Sequence, residues 1–146
     1  MSSTRVDFYK ASPDAVNAMM GLERFIKSSG LGNTLLNLVK LRASQINGCA
    51  YCVDLHAQEA LKAGETERRI NAIAVWQETP FFDERERAAL AWTEAVTLLS
   101  QTHAPDELYQ DVIRHFSEKE AVDLTLAIVT INGWNRLAVG FRKLPK

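Results

Sequence analysis

Cys49, Cys52 and His56 are the residues of this chain whose types and spacing could do chemistry. They sit in "INGCAYCVDLHAQEA", which holds the only two cysteines three positions apart and a histidine four positions after the second. On a helix opening at about Cys49, a turn of about 100° per residue puts Cys49, Cys52, Val53, His56, Ala57 and Ala60 on one core-facing stripe. Asp54, Gln58 and Lys62 point the other way, and Tyr51 falls on the outer side, apart from the group. A thiol in the first turn of a helix meets unpaired backbone N–H groups and the positive end of the helix dipole. Both favour thiolate, the form that attacks peroxides and disulfides. Two cysteines at this spacing can close a disulfide across one turn, and His56, one turn beyond Cys52, is placed to carry a proton.

Three readings are open on these residues. The cysteines can be small core hydrophobes beside a satisfied core histidine. They can be zinc ligands, although a structural site needs four and the local set supplies three on one helical face, unless His103 or His115 folds back. They can be a redox dithiol with its own proton carrier. A thioredoxin-like version of the last is disfavoured, because that motif follows a strand in an α/β unit and no strand pattern precedes Gly48.

The elements that must position this group read as a succession of helices. Ser12 before Pro13 opens one that runs through "PDAVNAMMGLERFIKSSG" toward Gly30, and "NTLLNLVKLRASQI" forms the next, stopped by Asn47-Gly48. From Cys49 a third runs to Lys62 or Ala63, with Gly64 as its stop. "TERRINAIAVWQ" reads as one short helix ending near Pro80. Asp83 with Glu86, and Ser117 with Glu120, are capping-box pairs, and Pro105 opens "PDELYQDVIRHF" between the helices they start. "LVKLRASQINGCAYC" and "DLTLAIVTINGWNRL" both end a helical run in Ile-Asn-Gly and restart, as in two helix-break-helix units. No stretch alternates like a half-buried strand, so the expected fold is all-α.

At 146 residues and 47% hydrophobic, residues 1–146 are expected to form a single domain that buries a core without disulfide or metal staples. Seventeen Lys plus Arg are interspersed with eighteen Asp plus Glu, which leaves no footprint for nucleic acid or an anionic membrane. "MSSTRVDFYKASPDAV" has no apolar run of signal-peptide length, and no segment approaches the roughly 18 apolar residues of a membrane span. The expectation is a cytoplasmic protein. In that reducing compartment a disulfide closing so short a loop has little structural use, so chemistry is its better reason. Trp76, Trp92 and Trp134 read as core or subunit-interface residues, Arg136 as a solvated or paired arginine, and His103 as a loop residue.

The stretch "LVKLRASQINGCAYCVDLHAQEALKAGE" resembles the AhpD-like alkylhydroperoxidase and carboxymuconolactone decarboxylase superfamily, in its CxxCxxxH-bearing branch. The likeness continues through "VWQETPFFDERERAALAWTEAVTLLS" and "INGWNRLAV", and so covers most of the chain from about Ser12. The resemblance implies an AhpD-like helical bundle that assembles into homo-oligomers, often trimers or hexamers. It implies that Cys52 attacks a small hydroperoxide, that Cys49 resolves the product to a disulfide, and that His56 takes part in proton relay. It implies no bound cofactor or metal, and an external dithiol reductant such as a lipoyl-bearing protein. True carboxymuconolactone decarboxylases lack the cysteine pair, which argues against lactone chemistry here. One departure matters: the family's relay glutamate, twelve positions before the first cysteine, is Asn37, which accepts no proton at neutral pH. Either His56 then works through water alone, or a carboxylate such as Glu23 or Glu94 replaces the glutamate in space, or the peroxidase activity is weak or lost. Where some members carry a second histidine between the cysteines, this chain has Tyr51. The alternative to a peroxidase is a dithiol–disulfide redox partner or sensor, which needs no complete relay.

Overall fold

In the computed structural model, which describes residues 3–146, nine α-helices and one 3-10 turn follow in chain order, with no strand among the described residues. They are α1 (Phe8–Ala11), α2 (Pro13–Ser28), α3 (Asn33–Ile46), α4 (Ala50–Lys62), α5 (Glu67–Ala72), the 3-10 turn Ile73–Glu78, α6 (Glu84–Thr97), α7 (Leu99–Thr102), α8 (Asp106–His115) and α9 (Glu118–Gly140).

Helix α3 is the one around which the others are arranged, and its sequence shows why. A surface helix buries one stripe, whereas α3 buries Leu35, Leu36, Leu38, Val39, Leu41 and Ala43, which point to several sides. It can do so only between neighbours, and α4, α6 and α9 pack against it. One side of α3 carries Leu35 and Val39 into a core with Ile26, Ala89, Leu124 and Ile128. Another carries Leu38 and Leu41 into a second core with Ala60, Ile73, Trp76 and Leu90.

Both expected capping boxes form. Asp83 Oδ1 accepts from the Glu86 N–H at 2.8 Å while Glu86 Oε1 accepts from the Asp83 N–H at 3.0 Å. Ser117 and Glu120 repeat the exchange at 3.1 and 2.9 Å. Each satisfies two of the N–H groups that a helix start leaves without an intrahelical partner. At α2 the proline alone opens the helix, since the Ser12 side chain makes no capping hydrogen bond. Helix α1, too short to leave a periodic signal, is capped instead by Asp7, whose carboxylate accepts from the N–H groups of Tyr9 and Lys10.

Two sequence expectations are corrected. The segment read as one helix before Pro80 divides into α5 and the 3-10 turn, with Val75 out of helical geometry. In a three-residue turn, positions i and i+3 eclipse, and this aligns Ile73 and Trp76, both buried, toward the second core. Arg87 holds the end of that turn by donating to the carbonyls of Trp76, Gln77 and Thr79. The second Ile-Asn-Gly does not break its helix: Ile131, Asn132 and Gly133 lie inside the 23-residue α9.

Candidate active site

The site begins with the break between α3 and α4. Gly48 adopts φ 66°, a left-handed conformation that glycine takes without steric cost, and the chain turns there so that Cys49 becomes the N-cap of α4. The Cys49 N–H donates to the Ser44 carbonyl at 3.0 Å, which ties the new helix to the old one. Cys49 and Cys52 are joined in a disulfide with their Cα atoms 5.2 Å apart, and Cys49 Sγ accepts from the Cys52 N–H at 3.2 Å. Both cysteines are buried.

The two sulfurs are not equivalent. Cys52 lines a half-open cavity of about 520 Å³ between α1, α2, α3, α4 and α9, and Cys49 does not. Cys49 instead borders a shallow depression on the other side of α4, with Ser44, Gly48 and Val53. A molecule in the cavity therefore meets Cys52 first.

His56, one turn after Cys52, lines the same cavity and is itself buried. Its Nδ1 lies 3.1 Å from Oε2 of Glu59, a further turn along α4. The hydrogen bond to His56 holds the Glu59 carboxyl below its ordinary value against the upward push of burial, and attraction to His56, Lys40 and Lys27 adds to the lowering. A carboxylate on one ring nitrogen fixes the imidazole's orientation and directs its other nitrogen elsewhere. Opposite, Lys40 Nζ meets Glu23 Oε2 at 3.3 Å, and the Trp134 indole N–H donates to Glu23 Oε1 at 3.0 Å.

Asn37 lines the cavity too, so the position of the missing glutamate shares that space with Cys52 and His56. Of the two replacements considered, Glu23 is on the cavity wall. Glu94 is not: Arg42 holds it at 2.7 Å, and the Trp76 indole N–H reaches it at 3.4 Å. Glu59 escaped the sequence reading, although its spacing of three from His56 was a usable signal. Tyr51 is corrected from bystander to cavity wall, because α1 and the C-terminal tail close over its side of α4. There Lys143 Nζ lies 4.8 Å from the Tyr51 ring and 4.6 Å from that of Tyr9. Burial, then the neighbouring Tyr51, pushes the Tyr9 phenol above its ordinary value.

Trp134 is likewise cavity wall, whereas Trp76 and Trp92 are core residues. Arg136 is exposed and donates to Asn132, and His103 is exposed at the end of α7. Neither His103 nor His115 approaches the cysteines, and among the described residues no three His, Cys, Asp or Glu are grouped to hold a metal ion.

Residues 13–95 match the carboxymuconolactone decarboxylase family. The chain belongs to that family. It is 43% identical to the uncharacterised protein YdfG of Bacillus subtilis over 94% of this chain and 93% of that one. A solved protein of unknown function from Agrobacterium tumefaciens, with a suggested identity as the antioxidant defence protein AhpD, superposes with TM-score 0.96 and 49% identity over 99% of both chains. The debrominase Bmp8 shares the fold at TM-score 0.85 and 25% identity, over 94% of this chain and 74% of its own. The all-helical fold expected from the helical patterning, and its AhpD-like form expected from the resemblance, are thereby shown. No helix among the described residues is long and apolar enough to cross a membrane.

Proposed function

We infer that the protein is a thiol-dependent peroxidase for small organic hydroperoxides. The observation that carries this reading is the asymmetry of the dithiol: Cys52 lines a half-open cavity beside His56, and Cys49 lies behind it within bonding distance. Reduced Cys52 attacks the terminal oxygen of the peroxide as thiolate, an S–O bond forms and the O–O bond breaks. The alkoxide leaves as alcohol with a proton delivered through His56. Cys49 then attacks the sulfenic sulfur, the S–S bond forms and the oxygen departs as water. An external dithiol, in this family's manner a lipoyl group on a carrier protein, restores both thiols and becomes a disulfide itself. The Glu59 carboxylate on His56 supplies the proton-accepting group that Asn37 cannot be, with Glu23 as the second carboxylate on the wall. The chain works without bound cofactor, in the cytoplasm, as a homo-oligomer of three or six copies. Exposed Val122 and Val129, seven residues apart on one face of α9, support that assembly.

The test is the intact mass and free-thiol count of reduced protein given one equivalent of organic hydroperoxide. Loss of two hydrogens and both thiols is expected. Cys52→Ser abolishes peroxide consumption, and Cys49→Ser permits a single oxidation without turnover. If either variant turns over like wild type, the scheme is wrong.

A second reading, a dithiol–disulfide redox partner, is favoured by Asn37, which leaves no carboxylate at the family's relay position. It expects thiols unmoved by peroxide and rapid exchange with a lipoyl or protein disulfide.

A further inference from the structure

Besides His56, five charged side chains line the cavity: Glu23, Arg24, Lys27, Lys40 and Glu59. Three are engaged. Lys40 and Glu23 hold each other, and Glu59 is hydrogen-bonded to His56. Arg24 and Lys27, exposed at the cavity mouth, make no hydrogen bond or ion pair with any described residue, and Lys27 reaches Glu59 only through space. They are three positions apart on α2, one turn after Met20, so the three share a face of that helix. The rest of the wall is largely apolar, with Phe8, Leu36, Leu55 and Ala138 beside Cys52. At about 520 Å³ the cavity has the size of a site for an organic molecule rather than for hydrogen peroxide.

We propose that the substrate is an anionic organic hydroperoxide: an apolar body between Met20, Leu36 and Leu55, a peroxide end at Cys52, and a carboxylate held by Arg24 and Lys27. This names the substrate class for the peroxidase reading and rests on it. The carboxylate is unchanged in the reaction, while the peroxide O–O bond breaks and the Cys52 sulfur gains the oxygen. A guanidinium and an ammonium one turn apart suit two carboxylate oxygens, the guanidinium as a planar fork and the ammonium as a point charge. Lys40 offsets Glu23, and Glu59, which stays a carboxylate beside His56, is outnumbered by Arg24 and Lys27, so the wall keeps a net positive charge for such a ligand.

The experiment compares cumene hydroperoxide bearing a para-carboxylate with its methyl ester, in kcat/KM at low salt. The acid is expected to be preferred roughly tenfold. That ratio should fall toward one in R24Q/K27Q and at high ionic strength, and persist in the charge-preserving R24K/K27R. A ratio of one in wild type, or an undiminished ratio in R24Q/K27Q, overturns the proposal. Calorimetric binding of unreactive 4-isopropylbenzoate and its methyl ester to the disulfide form separates this proposal from the peroxidase reading. If neither peroxide is consumed yet the benzoate binds wild type and not R24Q/K27Q, the peroxidase reading fails and the carboxylate site stands. If both peroxides are consumed equally and the benzoate does not bind, the carboxylate site fails alone.

Discussion

Ile46-Asn47-Gly48 and Ile131-Asn132-Gly133 are the same tripeptide, and the chain does opposite things with them. At the first, Asn47 ends α3, Gly48 turns to φ 66° and a new helix starts at once, which leaves Cys49 as its N-cap. At the second, α9 runs straight through, and Trp134 and Ala138, four apart, both reach the cavity. The first copy thus places a thiol pair at a helix N-terminus, and the second keeps an aromatic wall in helical register. The two are also joined. Asn47 Nδ2 donates to Oδ1 of Asn132 and of Asn135, each at 2.9 Å, and Asn135 Nδ2 donates to Ser44 Oγ at 3.0 Å. Asn-Gly permits a break without demanding one, and long-range packing decides which copy breaks.

The link between the copies is the most sensitive place to test this. Asn135 and Ser44 are buried, so Asn135→Ala removes a buried acceptor from Asn47 and leaves Ser44 Oγ without its donor. A loss of about 2–3 kcal/mol in urea unfolding is expected. A loss well under 1 kcal/mol would mean that the copies are not held together by this network.

The glycines themselves come next. Gly48→Ala places an L side chain at φ 66°, where the added Cβ meets nothing within 4 Å, so the cost is backbone strain alone, about 1 kcal/mol. An unchanged urea midpoint would show that the first break does not need glycine. Gly133→Ala puts a Cβ 2.8 Å from Cε of Met19, the far end of a flexible side chain. Helix propensity gained offsets the displacement of Met19, and the net change should stay within about 0.5 kcal/mol. A cost similar to that at Gly48 would erase the distinction between the two sites.

The smallest effect belongs to the helix that the first break starts. Glu59 titrates below its ordinary value when folded, so its ionised form stabilises the protein above the unfolded pKa of about 4.3. That contribution is lost as pH falls through the lower folded value. The stability difference between wild type and Glu59→Gln should therefore be small at neutral pH, because the carboxylate is half exposed, and should vanish on acidification. A difference that widens with acid would reverse the assigned direction.

Most of the helices were legible because their signals are local. Capping boxes at Asp83 and Ser117, Pro13, and the stop at Asn47-Gly48 each act through neighbours in sequence. The burial of Cys49, Cys52, His56 and Ala60 was legible for the same reason, whereas Val53 and Ala57, read as part of the same stripe, are half-buried beside the depression that Cys49 borders. What escaped depends on contacts across the fold. The kink at Val75 follows from the burial of Ile73 and Trp76 and from carbonyls held by Arg87, a residue beyond Pro80. Tyr51 belongs to the cavity only because α1 and the tail after α9 close over it.

By itself, the sequence determined that the chain is helical and that two thiols and an imidazole share one face of a helix that opens at Cys49. Local propensity and the 3.6-residue period suffice for that. Only the tertiary structure decided that Cys52 rather than Cys49 opens onto the cavity, that Glu23 and Glu59 face the site while Glu94 is held by Arg42, and that Arg24 and Lys27 stand there unpaired. Those outcomes depend on how α2, α3, α4 and α9 pack around one space, and no single segment encodes the relative placement of four helices.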